Sequence, residues 1–235
     1  LSSLPTQLDQ WKEGVTLLVD KPLHWTSFDV VNKLRYAISR KVGKLKVGHA
    51  GTLDPLATGL LVICTGKMTK QINTIQAEDK TYTGIIKLGA TTASYDSEMP
   101  EENSVAVDHI SLENIMSVLP QFIGEILQTP PVFSAIKIDG KKSYNLARKD
   151  RAVELPQRAV VIHEYKITSF DLPFVAFDIK CSKGTYIRSL AHDLGQALGV
   201  GGYLTQLIRT QSGDYKLSGA HSVPDLVDFI EKMEA

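Results

Sequence analysis

Gly48-His49-Ala50-Gly51-Thr52-Leu53-Asp54-Pro55-Leu56-Ala57-Thr58-Gly59 is a run of small residues built around one carboxylate. No Asp or Glu stands between Asp29 and Asp54, or between Asp54 and Glu78. Pro55 disfavours the α region for the residue before it, so Asp54 is expected in an extended or turn conformation. Gly48, Gly51 and Gly59 permit tight bends and let a large ligand approach the backbone closely. Directly downstream, Gly59–Thr65 is an apolar, β-branched run that reads as a buried strand. Taken by itself, the Asp54-Pro55 pair reads as an ordinary turn ahead of that strand.

Around that loop the coarse pattern is α/β. Gly14–Asp20 reads as a strand, and Ser27 is the expected cap of a helix carrying Val30, Val31, Leu34, Ala37 and Ile38. Lys80–Leu88 and Phe174–Cys181 are rich in β-branched and aromatic residues and read as strands. Ser111–Leu119 and Thr185–Leu198 read as helices. Pro130-Pro131 breaks the chain before a short expected strand, Phe133–Lys137, and a basic hairpin or helical loop running to Asp150. The expectation is one mixed α/β (α+β) domain over residues 1–235, with a large, mainly antiparallel sheet flanked by helices.

The 235 residues balance 26 basic against 26 acidic side chains, but the charges are segregated. From Val30 to Leu53 every formal charge is positive (Lys33, Arg35, Arg40, Lys41, Lys44, Lys46), and Lys137, Lys141, Lys142, Arg148, Lys149 and Arg151 form a second cluster. From Leu88 to Ile136 there is no Lys or Arg. Such segregation can give a neutral protein one basic face. Cys64 and Cys181 are too few for a disulfide framework and fit a reduced, cytoplasmic setting. No apolar run approaches the roughly 20 residues that span a bilayer, and Leu1–Lys12 shows no signal-peptide pattern.

Several other chemistries fail on their motifs. Gly66-Lys67 and Gly140-Lys141 lack the Ser or Thr that a phosphate loop requires next. Gly199-Val200-Gly201 follows a helix and lacks the third glycine of a dinucleotide fingerprint. The six histidines have no metal-ligand spacing, and His192-Asp193 reads as a solvated polar turn rather than part of a triad.

The full loop, Gly-His-x-Gly-x-Leu-Asp-Pro-x-Ala-x-Gly, resembles the catalytic motif of the TruB-type pseudouridine synthases. Four further segments follow in the family's order: Lys21-Pro22 with Thr26-Ser27, Lys80-Thr81-Tyr82, Pro130-Pro131-x-x-Ser134-Ala135-x-Lys137 with Gly140 and Tyr144, and Gly184-Thr185-Tyr186-Ile187-Arg188. The resemblance runs from about Gly14 to Ser212. It implies the pseudouridine synthase fold with a protruding thumb at about 128–154, and isomerisation of uridine 55 in the tRNA T loop without cofactor or metal. Asp54 is then the nucleophile, with attack at C1′ and abstraction of the C2′ proton both open, and Arg188 is its charge partner. Tyr82 stacks on the flipped base, His49 fills the space it leaves, and Tyr186 and Leu207 line the uracil pocket. Lys21 and Asp96 complete the substrate side, Asp96 within the Arg188–Asp54 charge network. Lys137, Lys141 and Lys142 are the expected thumb contacts to RNA.

His24 departs from the family, which usually has Gly there, and this puts the local turn in question. The chain also ends at Ala235, before the C-terminal RNA-binding (PUA) domain of many relatives. That end fits either a short form of the family or a truncated chain; a stand-alone tRNA enzyme outside guide-RNA complexes is the expectation, and a monomer is expected. Two alternatives stay open: a synthase for another RNA, and a tRNA-folding chaperone independent of catalysis.

Overall fold

The structure is a computed structural model that describes residues 4–133 and 155–233, with the backbone of two short strands between them. Leu1–Tyr82 with Leu207–Ala235 form one compact unit, and Thr83–Gln206 form a second.

In the first unit, α1 (Leu8–Glu13) leads into β1 (Thr16–Lys21), which pairs antiparallel with β3 (Ala57–Thr65) and parallel with β14 (His221–Ser222). The short β2 (Val47–His49) lies antiparallel on β3. The far end of β12 (Gly202–Ser212) runs parallel to β3, with Leu207 opposite Ala57 and Arg209 opposite Gly59, and β13 (Tyr215–Lys216) pairs back onto it. β3 is buried at eight of its nine positions, as a strand covered on both faces must be. α2 (Ser27–Val42) and α6 (Val223–Lys232) bury Val30, Val31, Leu34, Ile38, Leu226 and Ile230 in one core cluster with Leu17, Val19, Leu61 and Ile63 of the strands. Leu60, Val62, Cys64 and Ile75 of α3 (Ile72–Ala77) belong to a separate cluster.

The second unit holds the continuation of β4 (Lys80–Leu88), with β5 (Thr91–Thr92) and β6 (Glu101–Glu102) as a small hairpin and α4 (Leu112–Val118) after them. β10 (Arg158–Asp171) pairs antiparallel with both β7 (Gly124–Gln128) and β11 (Phe174–Cys181). α5 (Ile187–Ala197) buries Ile187, Leu190, Ala191 and Leu194 at helical spacing. The result is the mixed, mainly antiparallel sheet with flanking helices that the sequence implied.

Lys80–Leu88 and Phe174–Cys181 form at the expected boundaries. The Ser27 cap does not. Thr26 caps α2, accepting from the Asp29 amide at 3.1 Å while the Asp29 carboxylate accepts from the Thr26 amide at 2.8 Å. Two adjacent hydroxyls competed for the role, and Asp29 three residues on selects Thr26 through a reciprocal capping box. Of the short strand expected over Phe133–Lys137, Phe133 lies in a bend, Lys137 is in a strand, and residues 134–136 lie outside the described residues. In the basic segment β8 (Lys137–Ile138) and β9 (Lys141–Lys142) pair as a short hairpin. Ser134, Ala135, Gly140, Tyr144 and the rest of the expected thumb up to 154 lie outside the described residues, as do the side chains of Lys137, Lys141 and Lys142.

Candidate active site

The Asp54 loop is immobilised through its backbone. The Ala57 amide donates to Asp54 O at 3.0 Å, closing a turn with Pro55 in its second position, where a fixed φ is favourable. Ser27, freed from capping, is buried and grips Leu53 twice: its Oγ donates to Leu53 O at 3.0 Å and accepts from Leu53 N at 2.8 Å. Pro55 O accepts from the His24 amide at 2.8 Å and lies 3.4 Å from Lys21 Nζ. Asp54 itself is half-buried.

His24 has φ 66°, so the turn survives the loss of glycine with a histidine in the left-handed region. Lys21 is fully buried, and its ammonium also donates to Pro22 O at 2.9 Å and Trp25 O at 2.6 Å. Burial lowers its pKa to about 8, against the attraction of Asp54, Asp29 and Asp20. Lys21 therefore ties three carbonyls of this loop system together rather than presenting a basic surface.

Arg209 carried no signal in the sequence reading. It is also fully buried, with Nε donating to Leu60 O at 2.7 Å and Nη2 to Gly51 O at 3.1 Å. Gly59 (φ 92°) lets β12 come this close, since a Cβ there would lie 2.5 Å from Arg209 O. Leu207, half-buried, sits opposite Ala57 at the end of the Asp54 turn. His49 lies on β2 opposite Ile63. Burial lowers its pKa and so favours the neutral ring, the Arg209 guanidinium adding to the effect and a hydrogen bond with the Gly51 backbone opposing it. Tyr82 is buried on β4 two residues after Lys80, whose ammonium donates to Gln76 O at 2.8 Å near the C-terminus of α3.

The second unit gathers the other expected residues. Arg188, on the first turn of α5, faces Asp96 at 3.5 Å, both side chains being almost fully buried. The guanidinium also donates to Ser94 O at 3.1 Å and Phe133 O at 3.0 Å. Asp96 is anchored by Ser94 Oγ at 2.6 Å and the Glu98 amide at 3.0 Å. Tyr186 is held by Gln128, which the sequence reading did not single out: the Tyr186 amide donates to Gln128 Oε1 at 2.7 Å, and Gln128 Nε2 donates to Tyr186 O at 3.0 Å. His192 and Asp193 are not a solvated turn. His192 stacks on Tyr95 with ring centroids 3.9 Å apart, and burial raises the Asp193 pKa to about 6. Both residues lie on the flank of α5 that is neither core nor fully exposed, a placement that local sequence does not report.

Among solved structures, one described as a Cbf5-Nop10-Gar1 complex matches with a TM-score of 0.73 at 28% identity over 94% of this chain. An H/ACA RNP bound to a substrate RNA containing 2′-deoxyuridine matches with a TM-score of 0.69 at 25% identity. This chain spans 56% and 55% of those two chains. The fold is thus that of a pseudouridine synthase. The model of the TruB family pseudouridylate synthase N-terminal domain matches residues 39–187, and that of the tRNA pseudouridylate synthase B C-terminal domain matches 188–235. Proteins described as tRNA pseudouridine synthase B are similar along nearly their whole length. That of Phocaeicola vulgatus is 50% identical over 95% of this chain and 96% of its own, and that of Flavobacterium johnsoniae is 52% identical over 90% and 94%. The chain belongs to the TruB family.

Proposed function

We propose that this protein converts uridine 55 in the T loop of tRNA to pseudouridine, with Asp54 as the nucleophile. The observation that carries the reading is the Asp54 loop, in which one carboxylate is held at a fixed turn by Ser27, His24, Lys21 and Arg209. The reaction breaks the N1–C1′ bond, rotates the uracil and joins C5 to C1′. The C5 proton leaves to solvent and N1 ends protonated, so the step balances without redox chemistry or a co-reactant.

Arg188 is the cation assigned to keep Asp54 ionised, since an opposite charge within about 4–6 Å lowers a carboxyl pKa by roughly 1–3 units. Flipping the base costs a few kcal/mol. Tyr82 offsets part of this by stacking on the flipped base, worth roughly 1–3 kcal/mol. His49 enters the vacated space, and a neutral ring suits insertion among stacked bases better than a charged one. Tyr186 and Leu207 line the uracil pocket, while Lys137, Lys141 and Lys142 contact the RNA backbone. The protein acts in the cytoplasm, as a monomer and outside guide-RNA complexes.

Asp54→Asn keeps size but cannot act as a nucleophile. We expect it to abolish tritium release from C5-labelled uridine in tRNA while affinity, read by filter binding, stays within about tenfold. Turnover by the variant would remove Asp54 from the role. Arg188→Met should slow single-turnover isomerisation far more than it weakens binding. The reverse pattern would make Arg188 a phosphate contact.

A further inference from the structure

Gln128 and Arg158 stand opposite each other on one rung of the β7–β10 ladder. Side chains paired directly across antiparallel strands project from the same face of the sheet. Both meet the same residue. Gln128 takes both backbone groups of Tyr186, and the Arg158 guanidinium lies over the Tyr186 ring, 4.3 Å from its centroid.

The two contacts differ in what stability explains. Tyr186 precedes the first turn of α5 and has no side-chain cap to offer. Gln128, only 1% exposed, instead fastens that helix entrance from outside with both ends of its amide. Arg158 is less well satisfied: its Nε and Nη2 are buried and without hydrogen-bond partners among the described residues. Orphaned buried donors cost free energy that an apolar side chain of similar length would avoid. A planar cation on a tyrosine face, however, both attracts the ring and fixes its tilt. With one face covered, the ring is left with its other face and its edge for a ligand.

We infer that the Gln128–Arg158 rung is a positioning device that sets the Tyr186 ring for the reaction, Gln128 through the backbone and Arg158 through the ring face. The inference rests on the reading that Tyr186 lines the uracil pocket. Neither residue touches the uracil. Both act through Tyr186, which is two residues from Arg188, so a tilted ring would cost rate rather than affinity.

The test uses the full chain and an unmodified tRNA transcript, measuring the single-turnover rate at saturating enzyme, Kd by filter binding at several salt concentrations, and Tm. Arg158→Met should lower the rate about five- to thirtyfold, the equivalent of about 1–2 kcal/mol for a desolvated cation–π contact, with Kd within twofold. Arg158→Lys should recover part of the loss. Gln128→Glu, which keeps the acceptor for the Tyr186 amide but sets a carboxylate against Tyr186 O, should also lower the rate at near-constant Kd. Adding Arg158→Met to Tyr186→Ala should change nothing further.

A lower Tm with an unchanged rate would overturn the inference by making the rung merely structural. A raised Kd with a flatter salt dependence and an unchanged rate would overturn it by making Arg158 a phosphate contact. Should Arg158→Met not fold, Arg158→Lys and Gln128→Glu decide on the same criteria. If Tyr186→Ala isomerises at full rate, the pocket reading fails and takes the inference with it. If Tyr186→Ala is slow while Arg158→Met and Gln128→Glu are not, the inference alone fails.

Discussion

At position 24 the backbone carries a conformation that glycine would adopt without strain, and the histidine there holds φ at 66°. A non-glycine residue in the left-handed region costs about 1 kcal/mol or more. The turn persists because the His24 amide is bonded to Pro55 O and so belongs to the Asp54 loop. His24→Gly is expected to raise stability by about 0.5–1 kcal/mol at unchanged activity. His24→Val, β-branched and ill-suited to positive φ, should lower it by more than about 1 kcal/mol and slow isomerisation. Denaturant midpoints and single-turnover rates check both, and a destabilised glycine variant would show that the histidine side chain matters more than its strain. The departure is visible in the sequence, but the persistence of the turn is not. That depended on a hydrogen bond to a residue far along the chain.

Among the elements, the entrance of α2 separates two roles that adjacent hydroxyls share in sequence. Thr26→Ala removes a capping box and should cost about 1 kcal/mol of stability with little change in rate. Ser27→Ala removes both bonds to Leu53 and leaves its buried amide and carbonyl unpaired, so it should cost about 1–3 kcal/mol and lower the single-turnover rate as the Asp54 loop loosens. Equal effects on rate would refute this division. On α5, Asp193 has its pKa raised from 3.8 to about 6 by burial, so the folded state binds its proton more tightly than the unfolded chain does. The penalty is absent below about pH 4, grows as pH rises through the interval to 6, and is complete above it. Asp193→Asn should therefore stabilise the protein at pH 7 by about 1–2 kcal/mol, allowing for solvent screening of a partly exposed group, and have no effect near pH 3.5. A gain of equal size at both pH values would rule out ionisation as its cause.

For the molecule as a whole, zero net charge conceals two basic clusters separated by an acidic stretch. Each phosphate contact neutralised adds roughly 0.9 to the slope of log K against log salt, with the duplex DNA value as a guide. Replacing both Lys141 and Lys142 with Ala should weaken tRNA binding and flatten that slope by up to about two units. An unchanged slope would place this hairpin away from the phosphates.

The sequence by itself determined the parts whose signals are local. Strands β4 and β11 follow from β-branched alternation, the body of α2 from apolar spacing, and the Asp54 turn from proline and glycine chemistry. The motif order identified the family. Tertiary structure alone decided which side chains are spent on holding the site. Arg209 looks in sequence like any surface cation and Lys21 is marked only by its motif; the approach of β12 and the 22–25 turn buries them among carbonyls. Gln128 and Arg158 become one rung only because β7 and β10 pair in that register. Ser27 passes from helix cap to loop anchor because Asp29 completes the cap of Thr26 while folding brings Leu53 beside it. Hydrogen-bond partners remote in sequence leave no local pattern, so the residues that position a site are the last to become legible.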